Sequence, residues 1–298
     1  MVRCSTIFFM LLLSSISLAQ TNRYMVFFSD KDGSTYTVNN PEAFLSQKAI
    51  DRRAQQGISI TTEDLPVNEN YLQGVTGLDV AVFFTSKWLN AALIQTEESK
   101  ISQIASLGYV DSVLLIAPNV RLSFNSREAS KQEKDEGRIA AANDFQSEML
   151  GIQTLQSEGF DGAGVSIAFF DASFAGVNST EAFSDIFASD RLTYVYNFVN
   201  NSDDVYNISG NHGTRVFSSV AASLENEYRG VATGADYMLF VTEDGPTEYR
   251  IEEYNWLIAA EKADSAGVDI ITASLGYNTF DDPGMDYTYE DLDGESAI

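Results

Sequence analysis

The sequence predicts an α/β fold, with a mostly parallel sheet in its second half and a small α+β unit before it. From residue 146 onward, short apolar segments alternate with longer segments of helical periodicity. Strands are predicted at Val165–Phe170, Thr193–Val199, Tyr237–Val241 and Val268–Ala273, and helices at about Gly213–Leu224 and Ile251–Ala266. Apolar strands that alternate with helices indicate a doubly wound parallel sheet, which is covered on both faces.

The preceding unit, residues 20–120, has the pattern of a small α+β domain. Its strands are predicted at Tyr24–Phe28, Val80–Phe84, Leu89–Ile94 and Val110–Ile116. One helix is predicted to begin at Asn40-Pro41, an N-cap followed by a proline at the first helical position, and to end at Gly57. A second helix is predicted around Ile101, Ile104 and Ala105, and it should end at Gly108.

Residues 121–145 are predicted to form a charged linker between the two units. Between Asn125 and Gly137, seven charged side chains crowd together without an aromatic residue: Arg127, Glu128, Lys131, Glu133, Lys134, Asp135 and Glu136. A solvated charged helix is the alternative to a linker that is processed.

Residues 1–19 have the features of a secretory signal peptide. Arg3 precedes an apolar run from Ile7 to Leu13, and the small-residue pattern Ser17-Leu18-Ala19 is a cleavage signal before Gln20. The run is too short to span a bilayer, so no membrane span is predicted. The only cysteine, Cys4, lies in this segment, so the mature chain would contain no disulfide. We therefore expect a secreted, extracellular or periplasmic protein.

The net charge of −25 limits the possible partners. Nucleic-acid binding needs clustered Lys and Arg, so it is not expected. An acidic chain fits a secreted protein, or one that binds calcium through its carboxylates. Seven acids and no base lie between Asp281 and Ile298, but their spacing is not that of an EF-hand. A solvated loop is favoured there over calcium or a pocket for a basic side chain, and no metal site or cofactor is predicted.

Asp171 and His212 form the candidate chemical site. Asp171 ends an apolar strand, where sites form in open α/β sheets, and His212, the only histidine, opens a predicted helix. A carboxylate that holds an imidazole in one tautomer makes a general base able to activate a hydroxyl. The alternative is that His212 is an ordinary surface or capping histidine.

Four segments, in this order, resemble the subtilases, the subtilisin-like serine endopeptidases. Val165–Asp171 is similar to the strand of their catalytic aspartate, and His212–Val216, followed by Ala221-Ala222, is similar to their histidine helix. Gly230–Ala235 resembles the turn after that helix, and Asp269–Gly276 resembles the substrate-binding strand. The chain departs from the family at Ala172-Ser173, where a hydroxyl residue and a glycine are usual, and at Arg215 and Phe217-Ser218.

The resemblance implies catalytic roles for Asp171 and His212, and substrate binding by Ser274, Leu275 and Gly276. It implies peptide-bond hydrolysis through an acyl-enzyme, with a protein or peptide substrate and no organic cofactor. An edge strand at Ser274–Gly276 could also pair with an extended peptide on purely physical grounds. Residues 20–120 would be a propeptide-like domain, a folding aid and temporary inhibitor, with a permanent accessory domain as the alternative.

The family's oxyanion asparagine and its Gly-Thr-Ser-x-Ala nucleophile motif lie beyond the substrate-binding strand. No Gly-Thr-Ser occurs in these 298 residues. Residues 146–298 are therefore expected to be the amino-terminal part of a subtilisin-like peptidase domain, inactive by itself. The other hypothesis is a secreted, non-catalytic peptide-binding or propeptide-like protein on a decayed protease fold.

Overall fold

The computed structural model describes residues 21–118 and 147–294. The predicted signal peptide and the predicted charged linker lie outside these ranges. The described strands are β1 Thr21–Phe28, β2 Ala81–Ser86, β3 Ala91–Glu97, β4 Val110–Ala117, β5 Ser166–Asp171, β6 Leu192–Asn197, β7 Ser223–Leu224, β8 Tyr228–Arg229, β9 Asp236–Val241 and β10 Ile270–Ala273. The α-helices are α1 Gln47–Gln56, α2 Glu69–Thr76, α3 Ile101–Ala105, α4 Ile152–Ser157, α5 Ser184–Ala188, α6 His212–Ala221 and α7 Ile251–Ala266.

The first sheet is antiparallel and has the strand order β2-β3-β1-β4. Successive side chains of a strand point to opposite faces, so β1 contributes to two cores. Tyr24 and Val26 pack in a cluster with residues of α2 and α3. Met25 lies on the other face, in a cluster that contains Ile251 and Tyr254 of α7. The sheet therefore packs against its own helices on one side and against α7 on the other.

The second sheet is parallel and has the strand order β10-β5-β9-β6. All six residues of β5 are buried, as expected for a central strand that is covered on both faces. Phe169 packs with Phe217 of α6, and Phe170 lies in the cluster that contains Leu257 of α7. Because helices cover both faces, the predicted doubly wound α/β fold with a small α+β unit is confirmed.

The predicted helix from Pro41 to Gly57 is wrong in its first part. Pro41–Ala43 form a 3-10 turn, and α1 begins only at Gln47. Ser46 has extended backbone angles, and its side chain accepts a hydrogen bond from the Ala49 N–H, so it is the true N-cap. Gly57 ends the helix as predicted, with φ 69°.

Several predicted boundaries also differ from the structure. Helix α6 includes His212 and ends at Ala221, because Ser223–Leu224 pair with Tyr228–Arg229 in a short hairpin. Strand β10 begins at Ile270 because the Val268 N–H bonds back to the Ala263 carbonyl at the end of α7. Strand β3 begins at Ala91 because Asn90, with φ 48°, lies in the turn after β2. Helices α2, α4 and α5 were not predicted.

None of the helices in the described ranges has the length and apolar character that a bilayer crossing requires.

Candidate active site

Asp171 is held at the carboxyl end of β5 by its neighbours. It is 1% exposed, and its carbonyl accepts a hydrogen bond from the Thr242 N–H, which follows β9. The Ala172 N–H donates to Oδ1 at 2.8 Å. Burial raises the pKa of the Asp171 carboxyl, although the hydrogen bond and charge of His212 act in the opposite direction.

The structure brings Asp171 and His212 into direct contact. His212 Nδ1 lies 2.9 Å from both Oδ1 and Oδ2 of Asp171. An ionised carboxylate only accepts hydrogen bonds, so the proton of a neutral imidazole is held on Nδ1 and Nε2 keeps its lone pair. The imidazole is 42% exposed and so is accessible from solvent. This arrangement is that of a base oriented by an acid.

Gly213 permits this contact because no side chain would fit there. A Cβ on Gly213 would lie 2.8 Å from Asp171 Cβ, and still closer to the Ser173 carbonyl oxygen. The first turn of α6 therefore packs directly on the loop after β5. The pairing of His212 with a following glycine thus has a steric cause in this structure.

Replacing Gly213 with Ala is expected to push the start of α6 away from Asp171. The fold should lose about 1–3 kcal/mol, the usual cost of overpacking a filled site. Thermal unfolding and the imidazole signals of the single histidine in NMR spectra should both change. Gly245→Ala is the matched control, because a Cβ on Gly245 would meet nothing within 4 Å. Equal stability of the two variants would contradict the steric explanation.

Two residues of α6 that depart from the family pattern, Phe217 and Arg215, differ in burial. Phe217 is fully buried and packs against the rings of Phe169, Phe183 and Tyr237, at centroid distances of 5.0, 5.2 and 5.0 Å. Arg215 is exposed. The larger side chain of Phe217 is thus part of an aromatic core, and neither residue displaces His212 from Asp171.

Ser274, Leu275 and Gly276 directly follow β10. Ala273 pairs with Phe170, so Ser274 leaves the sheet at the same edge as Asp171. Ser274 and Gly276 are exposed, and Leu275 is half-buried. Among the described strands, β10 is at the edge of the sheet, where its free side could pair with an extended peptide.

Glu243 and Tyr277 also lie near the site, and neither was predicted from the sequence. Glu243 follows β9 and is buried, and it accepts hydrogen bonds from the hydroxyls of Tyr277 and Thr242. Burial and the charge of Glu243 raise the pKa of the Tyr277 hydroxyl. Glu243 also raises the pKa of Asp171, as a lesser cause than burial. The available signal was an acid just after an apolar strand, the same signal that identified Asp171.

Three acidic residues after Asp281 accept hydrogen bonds in the turns of their own loop. Carboxylates of Asp282, Asp286 and Asp291 accept the backbone N–H groups of Gly284, Phe280 and Thr288, respectively. Within residues 21–118 and 147–294, no group of three or more His, Cys, Asp or Glu side chains is arranged to hold a metal ion.

Residues 23–136 match the family model of the peptidase S8 propeptide domain of Bacteroidota. The amino-terminal unit is therefore similar to a peptidase S8 propeptide domain. This match confirms the predicted relationship to the subtilases. The matched propeptide domain includes the whole first sheet apart from Thr21 and Asn22, and it extends into the segment predicted as a charged linker.

Two solved structures are similar to this chain. Both are of the epidermin leader peptide processing serine protease (EpiP) from Staphylococcus aureus, one of them a mutant. The mutant is 11% identical with a TM-score of 0.49, and the alignment covers 85% of this chain and 50% of the other. The second is 11% identical with a TM-score of 0.47, covering 87% and 61%. The chain thus spans about half to three fifths of the length of these structures. No curated protein matches it.

Proposed function

We propose that this chain belongs to a secreted subtilisin-like serine endopeptidase, in which Asp171 and His212 are two members of an Asp-His-Ser triad. The observation that carries the proposal is the contact of His212 Nδ1 with both carboxylate oxygens of Asp171, at the carboxyl end of a central parallel strand. The nucleophilic serine would come from sequence outside these 298 residues. Ser274–Gly276 would bind the substrate backbone.

In this mechanism His212 Nε2 takes the proton of the serine hydroxyl as the oxygen attacks the peptide carbonyl. The imidazolium that forms is stabilised by the Asp171 carboxylate, and it returns the proton to the leaving amine. Water then attacks the acyl-enzyme with the same base, which releases the acid product and restores the serine. The protein's own contribution, within the described residues, is to hold Nδ1 protonated and Nε2 free.

The propeptide domain would act as a folding aid and temporary inhibitor, and its contacts with α7 support this role. Asp264 of α7 accepts hydrogen bonds from Arg52 at 2.6 Å, Arg53 at 2.7 Å and Lys87 at 3.3 Å. The Glu261 carboxylate accepts from the Ser86 hydroxyl, at 2.5 Å, and from the backbone N–H of Lys87, at 2.8 Å. Arg and Lys side chains of the propeptide domain thus pair with a carboxylate of α7, and α7 also packs against the parallel sheet.

The propeptide domain also caps the carboxyl end of α7. The last carbonyls of a helix have no partner inside it. Ser46 donates its N–H to the Ser265 carbonyl at 2.9 Å and its hydroxyl to the Ala266 carbonyl at 2.8 Å. Gly267 allows this approach, because a Cβ there would lie 2.6 Å from the Ala49 nitrogen. Formation of α7 and docking of α1 would therefore stabilise each other.

The test of the proposed activity uses the full-length gene product, secreted from cells and treated with a fluorophosphonate probe that labels activated serines. The wild type should be labelled and should cleave a fluorogenic peptide, and His212→Ala should do neither. No other histidine occurs in this chain to replace it. Labelling and cleavage by His212→Ala would refute the role of His212. Peptide binding without labelling of the wild type would instead favour a non-catalytic peptide-binding protein.

A further inference from the structure

The segment that carries His212 is tied to the loop after Asp171 by two hydroxyl groups. The Ser173 hydroxyl donates to the Gly210 carbonyl at 2.6 Å, and the Thr214 hydroxyl donates to the Ala175 carbonyl at 2.7 Å. His212 lies between the two attached points, Gly210 and Thr214. Its backbone is therefore restrained from both sides relative to the loop that begins at Asp171.

Ser173 is the more rigid of the two attachments. It is 1% exposed, and the following residue, Phe174, is completely buried and donates its N–H to the Val205 carbonyl at 3.0 Å. The Ser173 carbonyl also lies against Gly213, where it limits how closely α6 can approach. Ser173 thus contacts the chain on both sides of His212. Its hydroxyl bonds to Gly210, which precedes the histidine, and its carbonyl lies against Gly213, which follows it.

The start of α6 has a specific need for this attachment. Gly210 has φ 100°, a conformation that few other residues adopt, so its peptide is not restrained by ordinary helix geometry. The N-cap residue Asn211 makes no side-chain capping bond with the described residues. The Ser173 hydroxyl, by donating to the Gly210 carbonyl, restrains the backbone just before this uncapped first turn.

We propose that Ser173 is a positioning residue that holds the imidazole of His212 on the Asp171 carboxylate in the Nδ1-protonated tautomer. This inference rests on the proposed function. It also gives a role to a departure from the family pattern, since a serine stands here where a glycine is usual. Ser173 acts through the Gly210 peptide and the first turn of α6, without touching the imidazole.

The experiment is NMR of the full chain labelled with ¹⁵N-histidine. Because the chain has one histidine, every imidazole signal belongs to His212. In the wild type we expect ¹⁵N shifts of the Nδ1-protonated tautomer and an Nδ1–H resonance protected from exchange with water. Ser173→Ala should lose that resonance and show a mixture of tautomers, whereas Ser173→Thr, which keeps the hydroxyl, should retain it.

Ser219→Ala is the matched control. Its hydroxyl also donates to a backbone carbonyl, that of Val216 at 2.7 Å, but on an exposed part of α6 away from His212. The control should keep the wild-type resonance. An unchanged resonance in Ser173→Ala would overturn the proposal, as would loss of its native circular dichroism under conditions where Ser219→Ala stays folded, because the role would then be purely structural.

Activity gives a second readout in the full-length gene product. Ser173→Ala should lower kcat roughly 10- to 100-fold with KM unchanged, since displacement of a catalytic group by about 1 Å costs up to about 10²-fold. If the NMR effect is present but the wild type hydrolyses no peptide, the proposed function fails and the positioning role stands. If the wild type is active and the NMR spectra of wild type and Ser173→Ala agree, only the positioning role fails.

Discussion

Replacing Asp171 with Asn is expected to lower the rate of peptide hydrolysis by the full-length gene product about 10⁴-fold. The side-chain amide of asparagine can donate a hydrogen bond to Nδ1 of His212, which favours the tautomer in which Nε2 carries the proton and cannot act as a base. The fold should survive this change. Burial raises the pKa of the Asp171 carboxyl, so its ionisation costs more in the folded protein than in the unfolded chain, and a neutral side chain of the same shape should leave the fold stable.

The measurement compares secreted wild type, Asp171→Asn and Asp185→Asn for hydrolysis of a fluorogenic peptide and for thermal unfolding. Asp185 is a matched control because its carboxylate, which pairs with Arg191, is 72% exposed, so that solvent screens the pair. Self-removal of the propeptide, followed by gel mobility, should also fail in Asp171→Asn. Wild-type hydrolysis by this variant would refute the triad. Loss of its native circular dichroism would show that Asp171 is structural.

Replacing Asp264 with Asn is expected to destabilise the chain by about 3 kcal/mol, because it removes a carboxylate that pairs with three largely buried cations. Arg53 keeps its second acid, Asp64, whereas the ion pairs of Asp264 with Arg52 and Lys87 are lost. The side chains of Arg53 and Lys87 are only 9% and 10% exposed, and both contact this one carboxylate. Urea unfolding measures the free energy, and limited proteolysis of the propeptide domain reports its release from α7. Asp269→Asn is the control. Its partner Lys48 is 42% exposed, so the loss should be at most about 1 kcal/mol.

The effect of Asp264 should also depend on pH in a defined direction. Burial alone would raise the pKa of Asp264, but the charges of Lys87 and Arg53 outweigh it and hold the pKa below the ordinary value of 3.8. A lowered pKa in the folded state contributes stability above the unfolded pKa, and that stability is lost as the pH falls through the folded pKa. The difference between wild type and Asp264→Asn should therefore be constant at neutral pH and shrink below pH 3.8. A difference that grows with acidity would contradict the assignment.

Most strands could be predicted because their signal is local. Four consecutive residues of β5, Ile167–Phe170, are apolar, and such a short run is typical of a strand buried on both faces of a parallel sheet. At the start of α1, by contrast, a distant part of the chain contributes to the boundary. Helix α1 begins after Ser46, whose backbone and hydroxyl bond to the end of α7, more than 200 residues away in the chain. No local pattern contains that information.

The candidate site shows the same division. Asp171 and His212 could be named from the sequence, because each lies in a short motif at the end of an apolar strand or the start of a helix. The contacts of Ser173 and Gly213 could not be predicted from the sequence, because both depend on how closely α6 approaches the loop after β5. The contact of Glu243 with Tyr277 joins the ends of two different strands and needs the parallel register of the sheet.

By itself, the sequence determined the fold class, the two candidate catalytic side chains and the relationship of the chain to the subtilases, because apolar periodicity and short motifs are properties of neighbouring residues. Only the tertiary structure showed that α7 packs against both sheets and that Asp264 pairs with three cations of the propeptide domain. The same is true of the hydrogen bond by which Ser173 restrains the backbone before α6. These are contacts between residues far apart in the chain. They form only after burial of the apolar faces has brought the elements together. Tertiary packing therefore determines these contacts, and local sequence preference does not.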